Sequence, residues 1–391
     1  MPPSPHETRF AVVGNPGNRR VAMFTDAALA AGVPPPRVLA WHGVLTDGAA
    51  FRPGETVRID SPGEDEEVEW LLRGATDPTR VEGTARWYAR FTEAVRGIAA
   101  AAADAAGATL LDDPGELAVL FDKRLCHGVL ERAGVPVPPS PTSGPQAPPV
   151  RGWDDVRAAL GSPGLRRAFV KLAHGSSASG VLAVETAGPG RVRATTSVER
   201  TEDGRLFNSL RVRRYETEAE VAAIVDRLAP DGLHIERWLP KASQGKRVAD
   251  LRIVVVGGRA THAVVRTSRS PMTNLHLGGV RGDLAAAREA AEASGVAWSE
   301  VLGIAERAAE CFPDTLCVGV DLLPGQRWRR FAVGEVNAFG DLLPRLTGLA
   351  GSGAEGLDTY AAQVAAVVRG QARRGTRTAR DERKGAPPGC R

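Results

Sequence analysis

Short apolar runs separated by glycine- and proline-rich turns recur along the chain, and the period inside each run decides what it builds. The run RFAVV predicts a strand over residues 10–13, followed by the turn GNPGN and a helix beginning near Asn18. RVLAWHGVL and ETVRIDSPG read as two further strands, the second closing on a Ser-Pro-Gly turn beside Glu64 and Asp65. Trp87, Phe91, Val95, Ile98 and Ala102 then fall on one stripe at helical spacing. This β-loop-α-β order predicts a first α/β domain over residues 1–110.

TLLDDPGELAVLFDKRLCHGVLERAG predicts a strand, a Pro-Gly helix start and one helix with Leu117, Leu120, Phe121, Val129 and Leu130 inward, carrying Lys123. SPTSGPQAPPVRG, from Ser140, is too rich in proline and glycine to pack and reads as a surface connection. AFVKLAHGSSASGVLAVE is strand, loop, strand: Lys171 ends the first, and Gly175, Ser176, Ser177, Ser179 and Gly180 form the tip. Such small side chains let backbone N–H groups approach polyphosphate oxygens, although an ordinary hairpin loop shares the composition. GLHIERWLP is another strand. RVADLRIVVVGGRATHAVVRTS is a β-hairpin turning at Gly257 and Gly258, with Arg252 and Arg266 in its arms. Polar MTNLHLGG follows, then helices near 284–294 and 299–311, and a last helix with Leu357, Tyr360, Val364 and Val367 on one face.

The stretch GVDLLPGQRWRRFAVGEVNAFGD, residues 319–341, puts Asp321 inside one apolar strand and Glu335 and Asn337 inside the next. Glu335 and Asn337 are two apart and share a face. Buried carboxylates need a counter-charge. A hard cation such as Mg²⁺ supplies one through an all-oxygen donor set, completed by water and phosphate oxygens. The alternative is a hairpin whose acids face solvent or pair with Arg327, Arg329 and Arg330 on its connecting loop.

Length and composition narrow the class. At 391 residues and 43% hydrophobic, the chain has room for two or three domains with a substantial core. No apolar run approaches the ~20 residues of a membrane span, and the opening MPPSPHETRF has no signal-peptide pattern, so a cytoplasmic protein is expected. Four cysteines without CxxC or zinc spacing argue against a disulfide framework or structural zinc. The net charge of +4 is concentrated in the tail, where residues 369–391 carry a surplus of +6 and leave the body near neutral. Without interleaved aromatics this is weak support for nucleic acid, and residues 371–391 are expected to be a disordered basic tail. Only five of the 50 basic residues are lysine, namely Lys123, Lys171, Lys241, Lys246 and Lys384, and only five asparagines occur. Two of those asparagines, Asn15 and Asn18, share the first loop with Arg19 and Arg20 at a helix start, where backbone donors attract anions. That loop completes neither a dinucleotide fingerprint nor a P-loop, and a plain turn of small residues is the alternative.

Seven pieces in order, FDKRL, FVKLAHGSSASGV, HIERWL, ADLRIVV, NLHLGG, GVDLL and GEVNAFG, spread over residues 121–340. Together they resemble the ATP-grasp superfamily, and within it the RimK-like carboxylate-amine ligases related to glutathione synthetase, as a bacterial branch of its own. The resemblance implies an α/β pre-ATP-grasp domain (1–110) before a two-lobed α+β ATP-grasp domain, with the first lobe at 111–238 and the second at 239–370. It implies ATP with Mg²⁺, for which Mn²⁺ could substitute. Lys123 and Lys171 would contact phosphates, with the 174–180 loop as lid. Glu236 and the backbone of Trp238 and Leu239 would hold adenine, with Lys241 near the ribose. Arg252, Arg266 and Asn274 would face the transferred phosphoryl group and the acyl phosphate, and Asp321, Glu335 and Asn337 would bind the metal. After Asn337 the family has small residues and a proline, whereas this chain reads AFGDLLPRL; GNPGNRR and IDSPGED also stand outside the pattern. Both departures point to a different substrate.

The expected activity is therefore an ADP-forming ligase that joins a carboxylate to an amine through an acyl phosphate. The acceptor is expected to be an anionic small molecule or peptide end, held in part by Asn15, Asn18, Arg19 and Arg20. A small-molecule kinase on the same fold and a non-catalytic ATP-binding module are the competing readings. Neither the substrates nor the oligomeric state is legible in the sequence.

Overall fold

The computed structural model describes residues 6–370 apart from 76, 176–178, 189, 341, 342 and 344. The fold combines α/β and α+β parts around three sheets. Strands β1 (Arg9–Val13), β2 (Arg37–Leu39), β3 (Glu55–Ile59) and β4 (Thr109–Leu110) form the first, parallel and ordered β2-β1-β3-β4. β1 is apolar without alternation because both its faces are covered. Phe10 and Val12 pack with Phe24 of helix Arg19–Ala30, and Ala11 and Val13 with Trp87 and Phe91 of helix Thr84–Asp104. The whole stripe from Trp87 to Ala102 is buried, as its spacing predicts.

Two expectations fail locally. WHGVL is not strand but helix Trp41–Asp47, because Trp41 and Val44, one turn apart, are the buried pair. The Trp41 indole also donates to the Asp60 carbonyl at 2.9 Å. The single helix expected after residue 114 is two, Pro114–Leu120 and Lys123–Arg132. Asp122 separates them by capping the second, its carboxylate accepting from the N–H groups of Arg124 (2.9 Å) and Leu125 (3.2 Å). The break brings Lys123 into a first helical turn, where its own N–H donates to the Ala173 carbonyl at 2.9 Å.

The second sheet is antiparallel, β8-β7-β6-β5-β9, built from β5 (Arg167–Leu172), β6 (Leu182–Thr186), β7 (Val192–Arg200), β8 (Leu206–Tyr215) and β9 (Leu233–Arg237). Helices Trp153–Leu160 and Glu218–Leu228 cover one of its faces. The third sheet runs β13-β12-β11-β14-β15, with β10 (Ser243–Gln244) on β11. Its strands are β11 (Arg247–Val256), β12 (Arg259–Ser268), β13 (Val280–Arg281), β14 (Cys317–Pro324) and β15 (Phe331–Ala338). Its core takes in Cys126 and Leu130 of helix Lys123–Arg132.

The first sheet's unit is stitched to the second sheet. Val81 N–H donates to the Leu206 carbonyl (3.0 Å), and Asn208 N–H to the Thr79 carbonyl (2.7 Å), extending the sheet past β8. Asp231 caps helix Thr84–Asp104 from outside, accepting from Gly83 N–H (2.8 Å) and Ala85 N–H (3.0 Å). Among the described residues no helix is long and apolar enough to cross a membrane.

Candidate active site

An open cleft lies between the second and third sheets. Phe169, Val181, Leu239, Met272 and Leu323 give it apolar walls, and Lys123, Lys171, Lys241 and Arg266 face Glu236, Asp250, Asp321 and Glu335 across it. Cross-strand register explains the gathering. Asp250 lies opposite Arg266, Arg252 opposite Asp321, and Asp321 opposite Glu335, so β12, β11, β14 and β15 bring acids and bases together on neighbouring strands, with the two carboxylates Asp321 and Glu335 side by side.

The cluster is closely bonded. Arg252 chelates Asp321 through Nε and Nη2, the latter at 3.0 Å, and Arg266 Nη2 reaches the same carboxylate at 2.9 Å. Arg266 also grips Asp250 at 2.8 and 3.1 Å, and the Thr273 hydroxyl donates to Asp250. Burial pushes the Asp321 carboxyl up, but the two guanidinium groups outweigh it and hold it well below the usual carboxylate range. Lys123 Nζ bridges the Gly175 carbonyl (2.6 Å) and Glu335 Oε1 (2.7 Å). Lys171 pairs with Glu236, and His234 Nε2 lies 3.5 Å from the same carboxylate. Burial opposes charge on both partners of that pair, yet their mutual attraction prevails: the Lys171 ammonium is raised, and the Glu236 carboxyl falls to about 2. Burial wins at Lys241, whose ammonium is lowered despite Asp250 at 3.9 Å.

Of the other residues singled out in the sequence, Gly175, Leu239 and Asn274 line the cleft. Gly180 adopts φ +67°, and a Cβ there would stand 2.5 Å from Leu172 Cδ1, so both conformation and space require glycine. Trp238 lies tilted beside Phe169 and under the Arg167 guanidinium, and its backbone N–H donates to the Arg167 carbonyl at 3.0 Å. Asn337 donates to the Gly319 carbonyl at 3.2 Å. Ser176 and Ser177 lie outside the described residues, as does the tail 371–391. The acids of the hairpin thus pair with Arg252, Arg266 and Lys123 rather than with Arg327, Arg329 or Arg330.

Residues 15–20 do not line this cleft. Asn15 donates to the carbonyls of Pro62 (2.8 Å) and Gly63 (3.0 Å). Asn18 caps its helix through Arg20 N–H (2.8 Å) and donates to Glu64 (3.0 Å), so the two loops outside the family pattern brace each other. Arg19 is exposed, and Arg20 Nη1 is enclosed with no hydrogen-bond partner.

The sequence reading passed over Asp250 and Thr273. Asp250 carries the signal that marked Asp321, an acid inside an apolar strand, two residues before Arg252 in ADLRIVV.

Among the described residues no three His, Cys, Asp or Glu side chains gather that could hold a metal unaided. Asp321 and Glu335 are cross-strand neighbours that line the cleft, and with the amide of Asn337 two residues further on, outside its lining, they make an all-oxygen set of the kind suited to a hard cation that keeps water and phosphate oxygens in its shell. The residues present therefore fit Mg²⁺.

Neither family models nor curated proteins match the sequence. Solved structures do. A structure of the ATP-grasp ligase PsnB with a phosphomimetic variant of its minimal precursor, Mg and ADP is 16% identical at a TM-score of 0.50, covering 94% of this chain and 99% of that one. The macrocyclase MdnC with precursor peptide MdnA, from Microcystis aeruginosa MRC, is 12% identical at a TM-score of 0.52, covering 93% and 100%. By these likenesses over nearly its full length, the chain has the ATP-grasp fold.

Proposed function

We propose that the chain is an ATP- and Mg²⁺-dependent ligase that joins a carboxylate to an amine through an acyl phosphate, releasing ADP and phosphate. The observation that carries this reading is the cleft's composition: apolar walls fit for a base, with ammonium and guanidinium groups converging beside four carboxylates. Asp321, Glu335 and Asn337 would hold the metal, whose role is to neutralise phosphate oxygens.

The remaining work falls to the chain's own groups. Lys123 and Lys171 place point charges on the polyphosphate, and Arg252, Arg266 and Asn274 face the transferred phosphoryl group. A substrate carboxylate attacks the γ-phosphorus, ADP leaves, and the amine nitrogen then displaces phosphate from the acyl carbon while losing a proton. Positioning and charge stabilisation supply most of the rate. Lys171 is held ready by Glu236, and Glu236 in turn by His234. PsnB and MdnC are solved with precursors, and we take the acceptor here to be a peptide as well, its anionic group reaching Arg19 and Arg20. Residues 1–110, 111–238 and 239–370 remain our assignment of the domains.

The test is to incubate the purified protein with ATP, Mg²⁺ and pooled peptides and metabolites, following ADP, phosphate and new masses. Ligation gives equimolar ADP and phosphate with a product lighter by one water than its two substrates. A phosphorylated product without free phosphate would establish a kinase instead, and nucleotide binding without turnover a binding module.

A further inference from the structure

His174 opens the 174–180 loop but has no part of its own in the roles above, yet its side chain is only 11% exposed, at the base of the loop that follows β5. Its ring stacks on Tyr88 with centroids 3.9 Å apart and planes 11° from parallel. Tyr88 belongs to helix Thr84–Asp104 of the first sheet's unit and is fixed there by a hydrogen bond from its hydroxyl to the Ala118 carbonyl, 2.9 Å. His174 Nδ1 lies 3.2 Å from the Phe121 carbonyl, at the break between the two helices. A carbonyl only accepts, so Nδ1 carries the ring proton; burial also holds this imidazole below its ordinary range, favouring the neutral form.

One residue further on, the Gly175 carbonyl accepts from Lys123 Nζ at 2.6 Å. The loop's two described sides also touch closely there, since a Cβ on Gly175 would stand 3.0 Å from the Ser179 carbonyl oxygen. A ring anchored to a 21-residue helix and a carbonyl anchored to a cleft lysine are therefore neighbours in the chain.

We propose that His174 is a positioning residue, whose stack on Tyr88 pins the base of this loop to the first sheet's unit and so fixes Gly175 and Lys123 for the nucleotide. The assignment rests on the nucleotide-binding reading above only for its second consequence; the pin itself is a property of the fold.

The experiment compares wild type with His174→Ala, His174→Phe and Tyr88→Ala. His174→Phe keeps the stack and loses the hydrogen bond to Phe121. Amide hydrogen exchange at Gly175, Ser179 and Gly180 is measured without nucleotide, and the Kd for Mg·AMPPNP by calorimetry. Exchange should quicken in both alanine variants and stay near wild type in His174→Phe. The Kd should rise about two- to tenfold in each alanine variant, the range of an aromatic pair, and recover within about twofold in His174→Phe. Combining the two alanine changes should add little to either alone. The pin is overturned if exchange is unchanged in His174→Ala, if His174→Phe behaves like alanine, or if the two alanine effects simply add. Should wild type bind no Mg·AMPPNP, the nucleotide reading fails, and the exchange rates still decide the pin.

Discussion

Replacing Lys171 separates what the lysine does for the fold from what it does for the nucleotide. Its partner Glu236 has a side chain only 3% exposed, and the Lys171 side chain is 13% exposed. The Glu236 carboxyl lies at about 2 against an ordinary 4.5, burial pushing it up and Lys171 pulling it further down. That displacement corresponds to ~3 kcal/mol of stability, and unpairing one member of a buried ion pair ordinarily costs ~3–5 kcal/mol. Lys171→Met should therefore lose about 3 kcal/mol at pH 7 in urea denaturation. A carboxyl whose folded pKa is depressed contributes above its unfolded pKa and loses that contribution as pH falls towards the folded one. The gap between wild type and Lys171→Met should accordingly be full at pH 7 and narrow by at least ~1 kcal/mol between pH 5 and pH 3.5. Adding Glu236→Gln removes the stranded charge and should restore at least half of the lost stability, because deleting both partners is far milder than deleting one. Mg·AMPPNP binding should stay lost in the double variant. A double variant no more stable than the single one, or one that binds the nucleotide like wild type, would refute the reasoning.

Glu335 is 31% exposed in its side chain, and glutamine can still accept from Lys123, so Glu335→Gln should change stability by no more than ~1 kcal/mol while weakening Mg²⁺-dependent nucleotide binding; thermal melting and calorimetry check the two halves. Asp112 is buried, and burial raises its carboxyl from 3.8 to about 6, so its ionised form strains the fold. Asp112→Asn should then stabilise by ~1–3 kcal/mol at pH 8, with the gain fading from pH 6 towards 4, as denaturation midpoints across that range will show. Arg19→Ala with Arg20→Ala should raise the acceptor's KM by about tenfold or more, at ~1.5–3 kcal/mol per charge-assisted bond, and leave ATP affinity unmoved.

What the sequence discloses follows the reach of each interaction. β1, the hairpin β11–β12 and the stripe from Trp87 to Ala102 were legible because their patterns are local and complete. WHGVL reads ambiguously because five residues with only Trp41, Val44 and Leu45 apolar are too short a run to fix the period, and burial of Trp41 against Asp60 decides. β7 and β8 passed unread because VRATTSVER and LFNSLRVRRY interleave arginine and apolar residues, and β8 faces solvent along much of its length. Asp122 separates two helices through its own carboxylate, a cap visible in FDKRL only once the helix is known to restart there.

The site divides in the same way. Acids inside apolar strands identified Asp321 and Glu335, but their partners depend on sheet order: Arg252 meets Asp321 across 69 residues, and Lys123 meets Glu335 across 212. Those pairings alter the chemistry to be expected of the proposed function. Lys123, Lys171, Lys241, Arg252 and Arg266 are each matched to a carboxylate, so a polyphosphate can claim them only by displacing Glu335, Glu236, Asp250 or Asp321. A displaced carboxylate gives up its close cation contact, and for the buried Glu236, Asp250 and Asp321 that loss costs several kcal/mol, about what the new phosphate contact gains. Nucleotide alone therefore gains little from the exchange. Nucleotide arriving with a divalent cation supplies a partner for the carboxylates as it takes their lysines and arginines, and the same cluster of acids and bases then serves both ligands.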